Sequence, residues 1–417
     1  MSKLDELIKV LCPNGVEYKK LGDIGKVSMC KRIMKSETSS EGDIPFYKIG
    51  TFGSIPNAYI SKDLFEKYKD NYPYPNKGDI LISCSGTIGK TVIFDGKPAY
   101  YQDSNIVWIK HDESLVLNKF LYYVYQSKPF TISVGGTISR LYNNSIEKTK
   151  IPVPPLPIQE KIVSILDSFT ELTTELTTEL TNRKKQYEYY RNYMLTFDNK
   201  VELKPLWSLL FFDKRFNDVE KTKQSKVLDF IHVSAKKLKK LLDYGDIKLL
   251  STGKFDGYTN INIAKGYVNN GEVITIPAGG TPNLKYWNGK FVDGGNILCS
   301  SSDTKKYSLK YIYYSLVNKC DIISQYYRGG SIKHPDMKSI IEIKLPIPPL
   351  PIQEKIVSIL DNFEKICSDL QIGLPAEIDA RKKQYEYYRD KLLSFDLNVT
   401  IDSAVGIERE RESGRSN

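Results

Sequence analysis

The sequence is poor in the side chains that build metal sites and covalent catalytic sites. Its 417 residues include only three histidines, His111, His232 and His334, which lie far apart along the chain. The six cysteines form no C-x-x-C pair, and none stands at ligand spacing from a histidine. Zinc sites and cysteine–histidine nucleophile pairs need such clusters. The sequence therefore predicts no metal site, no catalytic residue and no cofactor bound by this chain.

Long apolar runs are also lacking. The sequence contains no stretch of about 18 consecutive apolar residues, the length that a membrane-spanning helix needs. The N-terminus shows no basic region followed by an apolar signal segment. We therefore expect a soluble cytoplasmic protein without a membrane partner, whose cysteines are reduced thiols. The net charge of +10 fits a polyanionic partner, although it is spread over a long chain.

What the sequence does contain is a repeat of itself, which predicts its architecture. The run Pro154-Pro-Leu-Pro-Ile-Gln-Glu-Lys-Ile-Val-Ser-Ile-Leu-Asp167 recurs letter for letter as 348–361, and Arg183-Lys-Lys-Gln-Tyr-Glu-Tyr-Tyr-Arg191 recurs as 381–389. Each half is thus a variable segment followed by a constant one. We expect variable α/β domains at 1–153 and 201–347, constant helical segments at 154–200 and 348–397, and a disordered polar tail at 398–417.

The constant segments have the apolar period of long helices, three to four residues. In the first copy the pattern runs from Gln159 to Thr196, which corresponds to a helix of about 57 Å. We expect two long antiparallel helices that pair as a coiled coil, with a kink or restart of the second at Gly373 and Pro375. The predicted core residues are Ile158, Ile162, Leu166, Leu172, Leu176, Leu180, Tyr187, Ile352, Ile356, Leu360 and Tyr385.

A tetrapeptide repeat separates the two constant blocks of the first copy. Leucines recur every four residues at Leu172, Leu176 and Leu180, so they stay on one helical face. The glutamates of the repeat are like charges one helical turn apart, and Arg183 follows Glu179 at the spacing that offsets this repulsion. The segment is either a length-setting spacer or a low-complexity stretch of coiled coil without such a role.

The variable segments have the pattern of mixed α/β domains. Apolar runs at 79–83, 105–109 and 272–276 are bounded by glycine, proline or asparagine, as strands are. Tyrosine-rich helices are expected at 118–126 and 310–318. In each half a strand-like stretch, 146–153 or 339–347, then leads into the proline that precedes the long helix.

Two divergent domains joined to two nearly identical helices form a pseudo-twofold arrangement suited to reading two different DNA half-sites at a fixed separation. The doubled P-L-P-I-Q-E at 155–160 and 349–354, the doubled R-K-K-Q-Y-E-Y-Y-R and the threonine–glutamate–leucine tetrapeptides resemble the specificity subunits of type I restriction-modification systems. The segments 78–83, 85–90 and 135–140 also resemble recurrent parts of that family's recognition domains.

The resemblance covers the chain to about Asp396 and carries several expectations. It implies two target recognition domains that read a split, asymmetric sequence in double-stranded DNA, with two antiparallel helices between them. It implies a subunit without catalysis of its own that binds two methyltransferase subunits through the helices and works with restriction subunits. S-adenosylmethionine, ATP and magnesium would then belong to those partners.

Residues that contact DNA should be basic, hydroxyl, amide or aromatic side chains on loops. We expect them among loop residues of both variable domains, although any one of them is equally well explained as a solvated surface residue. In the first domain the candidates are Lys31, Arg32, Ser85, Thr87, Lys90, Thr137, Arg140, Tyr142 and Asn143. In the second they are Thr281, Asn283, Lys285, Lys305, Lys306, Arg328, Ser331, Lys333 and His334.

Three other interpretations remain weaker. The run 85–91 resembles a phosphate-binding loop but has two residues between its glycines where that motif needs four. Asp336, Glu342 and Lys344 are the residue types of a metal-dependent nuclease, yet the twin domain lacks them. A purely structural coiled-coil protein would explain the helices but not two divergent α/β domains.

The constant helices also carry basic residues with two possible roles, partner docking or contacts with phosphates between the half-sites. In the first copy they are Arg183, Lys184, Lys185 and Arg191.

Overall fold

A computed structural model describes residues 3–132, 139–198, 201–368 and 373–395. The chain forms two compact units. The first unit contains the residues up to Leu176 together with those from Ile378 onward, and the second unit contains Thr177–Glu377. The sequence predicts each constant segment as a separate region, at 154–200 and 348–397. These domain boundaries stay a prediction.

The described part of the chain up to Met194 contains six α-helices and nine strands. The helices are α1 (Lys3–Leu11), α2 (Leu21–Ile24), α3 (Lys62–Asn71), α4 (Asn118–Gln126), α5 (Asn143–Lys148) and α6 (Leu156–Met194). The strands are β1 (Tyr18–Lys20), β2 (Lys26–Ser28), β3 (Ile44–Tyr47), β4 (Tyr59–Ile60), β5 (Ile80–Ser83), β6 (Thr91–Ile93), β7 (Tyr100–Tyr101), β8 (Ile106–Lys110) and β9 (Lys150–Pro152).

The remaining described residues form eight further helices and ten strands. The helices are α7 (Leu206–Leu209), α8 (Ala235–Lys240), α9 (Ile261–Ala264), α10 (Leu309–Asn318), α11 (Cys320–Gln325), α12 (Met337–Ile340), α13 (Leu350–Ser368) and α14 (Leu374–Ser394). The strands are β10 (Leu203–Pro205), β11 (Leu210–Phe212), β12 (Ile247–Leu250), β13 (Asp256–Thr259), β14 (Asn269–Pro277), β15 (Lys285–Asp293), β16 (Asn296–Ser301), β17 (Tyr327–Arg328), β18 (His334–Pro335) and β19 (Lys344–Pro346).

The first unit is built on a four-stranded antiparallel sheet of order β2-β8-β5-β6. Along β8, Val107 and Ile109 belong to one buried cluster and Ile106 and Trp108 to another. Since alternate side chains of a strand point to opposite faces, both faces of this sheet are covered. This explains the uninterrupted apolar sequence of β8. The second cluster also contains residues of a smaller sheet of order β4-β3-β7.

The second unit repeats this framework and extends it. Its six-stranded sheet has the order β11-β16-β14-β15-β12-β13, and the first three pairings are antiparallel, as in β2-β8-β5-β6. Strands β12 and β13 are the addition, with β12 parallel to β15. In both units a two-stranded antiparallel ribbon, β1·β9 or β10·β19, pairs a strand that precedes the main sheet in sequence with the strand before the long helix. The internal repeat in the sequence therefore corresponds to a repeat in the fold.

The long first helix is confirmed and is 39 residues long. Ile158, Ile162 and Leu166 are fully buried, in a cluster that includes sheet residues and residues of α4. These three residues therefore anchor the start of α6 to the first unit. The sequence predicts that they form the core between paired helices, but they also pack against the sheet and α4. Farther along, Leu172, Leu176 and Leu180 are half-buried.

The core position predicted at Ile352 is wrong, because 46% of this residue is exposed. Its twin, Ile158, shares a buried cluster with Leu4 and Cys12, which lie in and just after α1. Among the residues described between Met194, where α6 ends, and Leu203, where β10 begins, no helix corresponds to α1. Ile352 on this side of α13 is accordingly exposed. Ile356 and Leu360 are buried as predicted, with Tyr311 and Tyr314 of α10.

The second constant segment forms two helices, α13 and α14, so the predicted restart near Gly373 and Pro375 is confirmed. The end of α6 packs against α13 within the second unit. Tyr187 and Tyr190 contact Phe363, and Leu195 joins the cluster of Ile356 and Leu360. Since later residues of one helix meet earlier residues of the other, the pair is antiparallel.

The start of α6 packs with α14 within the first unit. Phe169 stacks on Tyr388 with ring centroids 5.4 Å apart, Tyr385 packs beside Tyr123, and Leu392 and Leu393 are buried in the cluster of Ile158. Each unit thus contains the first part of one constant segment and the last part of the other.

Other predicted elements need small corrections. The helices at 118–126 and 310–318 and the strands at 79–83, 105–109 and 272–276 are present within a few residues of the predicted bounds. The stretches at 146–153 and 339–347, predicted as strand-like, each begin with helical residues and form a strand only at their ends. The tail predicted at 398–417 lies outside the described residues, and no described helix is both long and apolar enough to cross a membrane.

Candidate nucleic-acid interface

The hairpin turn between β5 and β6 carries three of the candidate residues of the first unit, Ser85, Thr87 and Lys90. The main chain of the turn is closed by bonds from Gly89 N to Ser83 O and from Ser83 N to Lys90 O, both 2.9 Å. Gly86 and Gly89 have φ angles of 63° and 76°, a left-handed conformation that favours glycine. The G-T-I-G run therefore forms a hairpin turn between two strands. This agrees with its glycine spacing, which does not match that of a phosphate-binding loop.

A second loop, residues 102–105, connects this turn with two other segments. Arg32 Nε donates to Asp103 at 2.9 Å, Ser85 Oγ donates to Asn105 at 3.0 Å, and Arg140 Nη2 donates to the carbonyl of Ser104 at 2.7 Å. The structure thus brings Arg32, Ser85 and Arg140 together around one loop. We call residues 32, 85–90, 102–105 and 140 the first loop cluster.

Other candidates of the first unit lie on exposed surface. The ammonium of Lys31 is 5.0 Å from the ring centroid of Tyr72, and Lys90 Nζ donates to the carbonyl of Phe52 at 2.5 Å. Tyr142 is 54% exposed, and Asn143 is the first residue of α5. Thr87 is exposed at the tip of the β5–β6 turn. Thr137 lies outside the described residues.

In the second unit, loops also meet at the end of the sheet that corresponds to the β5–β6 turn. The turn after β14 occupies the place of the β5–β6 turn. From it, Asn283 Nδ2 donates to Gly253 O at 2.8 Å, and Lys285 Nζ donates to Ser251 Oγ and Phe255 O at 3.2 and 3.0 Å. The two side chains therefore hold the loop 251–255 in place. Thr281, on the same turn, is exposed.

The β17–β18 hairpin packs against the same turn. Gly280 N donates to Lys333 O at 2.8 Å, and His334 Nδ1 lies 2.8 Å from Ala278 O. Ser331 and Lys333 are exposed, and the guanidinium of Arg328 is 3.6 Å from Asp336 with 70% of its side chain exposed. We call residues 251–255, 278–285 and 328–334 the second loop cluster.

Lys305 and Lys306 lie elsewhere, in the connection between β16 and α10. Both are exposed, and Lys306 pairs with Asp303 at 3.0 Å. The carbonyl of Lys306 accepts a hydrogen bond from Gln353 of α13 at 2.9 Å. This connection therefore serves as a contact with the long helix, and no bond described for these two lysines joins them to the second loop cluster.

The contacts of Gln353 belong to a duplicated clasp that the sequence analysis did not identify. Gln353 accepts from Ser308 N at 2.9 Å and donates to Lys306 O and Pro348 O. Gln159 accepts from Leu117 N at 2.9 Å and donates to Leu115 O and Pro154 O. Both glutamines are fully buried. The identity of the two constant blocks was the available signal for this role.

A carboxylate of the same block is also used twice. Asp167 accepts from Lys119 and Tyr123 of α4, at 2.5 Å each. Asp361 accepts from Lys310 at 2.7 Å and from Tyr314 at 2.5 Å, both on α10. The doubled block therefore fixes each long helix to its unit through main-chain and side-chain bonds at equivalent places.

The nuclease-like residue set is engaged in local structural contacts. Asp336 caps α12 by accepting from Ser339, and these bonds hold the pKa of its carboxyl below the usual range. Glu342 pairs with Lys223 at 2.7 Å. Within the described parts of the chain, no group of three or more histidine, cysteine or acidic residues is arranged to hold a metal ion.

Comparison with known proteins gives the family. The profile of the Type I restriction modification DNA specificity domain matches twice, at residues 13–186 and 217–380. The chain belongs to this family. The two matches fall on the two halves of the internal repeat, so the repeated sheet and its long helix are a feature that this chain shares with the family.

Curated relatives support the same assignment. The chain is 31% identical to the Type I restriction enzyme EcoR124I/EcoR124II specificity subunit of Escherichia coli, over 97% of this chain and all of that protein. It is 57% identical to the putative type I restriction enzyme specificity subunit S.HindORF215P of Haemophilus influenzae, over 198 residues. That match spans 46% of this chain and about half, 49%, of that relative.

Solved structures support the fold. The crystal structure of a type I restriction-modification system S subunit from M. genitalium covers 93% of this chain and 98% of its own, with a TM-score of 0.53 and 16% identity. A chain from work on complex assembly and conformational transition of the type I R-M system has the same TM-score at 14% identity. Members of this family therefore share the fold even where few residues are identical.

Proposed function

We propose that this protein is the DNA sequence-specificity subunit of a type I restriction-modification enzyme, and that each unit reads one part of a bipartite, asymmetric target in double-stranded DNA. One observation carries the proposal. The same sheet order presents a loop cluster at the same corner of both units, while the side chains of the two clusters differ. Because base edges are read by side chains, two unlike clusters would read two unlike half-sites.

Within each cluster the side chains divide into two roles. Arg140, Asn283 and Lys285 bond main-chain carbonyls, so they shape the loops. Thr87, Thr281, Ser331 and Lys333 are exposed on those loops, where they can reach DNA. In the proposal, the first group positions the second, and the lysines add phosphate contacts.

The constant segments would recruit the partner subunits. They present the same exposed side chains twice: Tyr189 and Tyr387 are 65% and 60% exposed, and Lys184, Lys185, Lys382 and Lys383 are exposed as well. Two equal surfaces would bind two copies of one partner, the methyltransferase subunit. Restriction subunits would join this complex, and S-adenosylmethionine, ATP and magnesium would be bound by the partners.

Catalysis by this chain itself is not part of the proposal. The carboxylates that could suggest a nuclease cap a helix and pair with a lysine, as described above. The protein would act in the cytoplasm, where bacterial DNA lies.

The test is to co-express the chain with its methyltransferase subunit in a host without adenine methylation and to map methylated adenines by long-read sequencing. We expect one motif in two parts separated by unspecified bases. Thr87→Ala should relax one part only, and Thr281→Ala and Ser331→Ala the other part only. A contiguous motif, or a change in both parts from one cluster, would contradict the proposal.

A further inference from the structure

The second unit carries a strongly basic helix that the reading of half-sites does not explain. Helix α8 contains Lys236, Lys237, Lys239 and Lys240, all exposed, and no acidic residue. None of the four forms an ion pair among the described residues. Lys237 lies over the ring of Tyr267 at 3.7 Å. For the other three lysines, the described residues provide no carboxylate within ion-pair distance.

This charge is costly for so short a helix. Lys236 and Lys240 are like charges four residues apart, an arrangement that destabilises a helix by a few tenths of a kcal/mol. Asp243, just after the helix, accepts from Asn260 and Tyr244 instead of from the lysines. Helix α3 of the first unit differs because its three lysines are matched by Asp63, Glu66 and Asp70. Of these two helices, only α8 therefore carries an excess of positive charge.

The helix is fixed beside the second loop cluster. Leu238, 1% exposed, packs over Gly294, where an added Cβ would come within 2.7 Å of the leucine side chain and 3.2 Å of the carbonyl of Leu250. Leu250 immediately precedes Ser251, whose hydroxyl is bonded by Lys285. At its other end, Val233 N donates to Asp293 O at 2.9 Å, and the Ser234 hydroxyl caps the helix.

We propose that α8 is a sequence-independent contact for the phosphate backbone of duplex DNA, located next to the loops that read the second half-site. Lys239 and Lys240 follow Lys236 by three and four residues, so both lie next to it on the helix surface. Buried Leu238 keeps the helix in place while these side chains reach outward. The inference rests on the proposed function. It implies that α8 of the second unit contributes phosphate contacts that α3 of the first unit does not.

The experiment compares two matched variants in the enzyme assembled with its partner subunits. K236Q/K239Q/K240Q removes three charges from α8, and K62Q/K67Q/K69Q removes three from α3. Affinity for DNA with the mapped motif and for scrambled DNA is measured over a salt series. Each lost phosphate contact lowers the slope of log Kobs against log[salt] by about 0.9. We expect the magnitude of this slope to fall by about 2 to 3 for the α8 variant on both DNAs. The slope of the α3 variant and the methylated motif of both variants should be unchanged.

The arginine variant K236R/K239R/K240R should keep the wild-type slope, because it retains the charge. An unchanged slope in the glutamine variant, or an equal loss in the α3 variant, would overturn the proposal. So would loss of partner subunits on size exclusion without a change in slope, which would assign α8 to an acidic protein surface. If wild-type enzyme does not distinguish the motif from scrambled DNA, the proposed function fails, whereas α8 is still judged by its slope.

Discussion

At the scale of single residues, the buried glutamines of the constant blocks make the most demanding contacts. Each carboxamide satisfies one main-chain amide and two main-chain carbonyls from inside the protein. A buried polar group that loses its partner costs about 1–3 kcal/mol, more than the bond itself contributes. These residues therefore control how firmly each helix is held.

Gln159→Ala should destabilise the first unit by about 3 kcal/mol, because Leu115 O and Leu117 N lose their partner. Trp108 is the tryptophan of the first unit, and Trp207 and Trp287 belong to the second. In a W207F/W287F background, urea unfolding followed by fluorescence thus reports the first unit. Glu160→Ala, the exposed neighbour, is the control and should stay within about 0.5 kcal/mol. Equal effects of the two substitutions would disprove the clasp.

His232 links stability of the second unit to pH. Its Nδ1 is 2.7 Å from Asp293 and its Nε2 is 2.9 Å from Asp213, and both carboxylates are fully buried. The hydrogen bond to Asp293 and the charges of Asp293 and Asp213 raise the pKa of His232, whereas burial of the ring and, less strongly, the charge of Lys214 oppose this shift. A raised folded-state pKa means that the contribution is complete below the unfolded value of about 6.5 and is lost as pH rises through the folded value.

We therefore expect the second unit to lose stability as pH rises above about 6.5. Urea unfolding in a W108F background, followed through Trp207 and Trp287, measures this change. His232→Gln should remove that part of the pH dependence, while His334→Gln, at an exposed position, should keep it. A pH profile of H232Q that matches the wild type would show that another group titrates.

At the scale of elements, the tetrapeptide repeat lies where α6 passes from one unit to the other, at Leu176 and Thr177. Deleting 173–176 should shorten the helix by about 6 Å. The preferred spacer of the DNA target should then change by one or two base pairs, at ~3.4 Å each, with both half-sites unchanged. Methylation mapping checks this.

The matched control replaces the same four residues by alanines, which preserves the helix length and should preserve the spacer. An unaltered spacer after the deletion would show that α6 does not set the distance between half-sites. A changed spacer after the alanine replacement would show that side chains, and not helix length, are responsible.

Sequence patterns predicted the elements with strong local signals. Helices α4 and α6 have clear periodicity, and Gly373 with Pro375 correctly marked the restart before α14. Local patterns failed at Ile352, where exposure depends on the absence of a counterpart to α1, and at α8, whose lysines give no apolar period. The loop clusters join residues distant in sequence through main-chain atoms, so no pattern of side chains along the chain reveals them. The identity of the two constant blocks marks Gln159 and Gln353 as a shared feature but does not show which main-chain atoms they bind.

At the scale of the whole molecule, α14, the last helix among the described residues, completes the first unit. Tyr388 is 6% exposed and stacks on Phe169, whereas its neighbour Tyr387 is 60% exposed. Tyr388→Ala should therefore destabilise the first unit by about 3 kcal/mol, from lost burial and the cavity left behind. Tyr387→Ala should change it by less than about 0.5 kcal/mol.

Trp108 fluorescence in the W207F/W287F background reads both variants, although residue 388 is far from Trp108 in the sequence. The same substitutions in a W108F background report the second unit, which should not change. Destabilisation of the second unit by Tyr388→Ala would contradict the assignment of α14 to the first.

The glutamine clasp also bears on how new specificities arise. Gln159 and Gln353 bind only main-chain atoms of their partners, at Leu115, Leu117, Lys306 and Ser308 among others. Every amino acid carries the same carbonyl, and all but proline carry the same amide hydrogen. Mutations can therefore replace the side chains at these four positions without removing the hydrogen bonds of the clasp. The constant helices can thereby stay the same while the side chains of the variable domains around the clasp change.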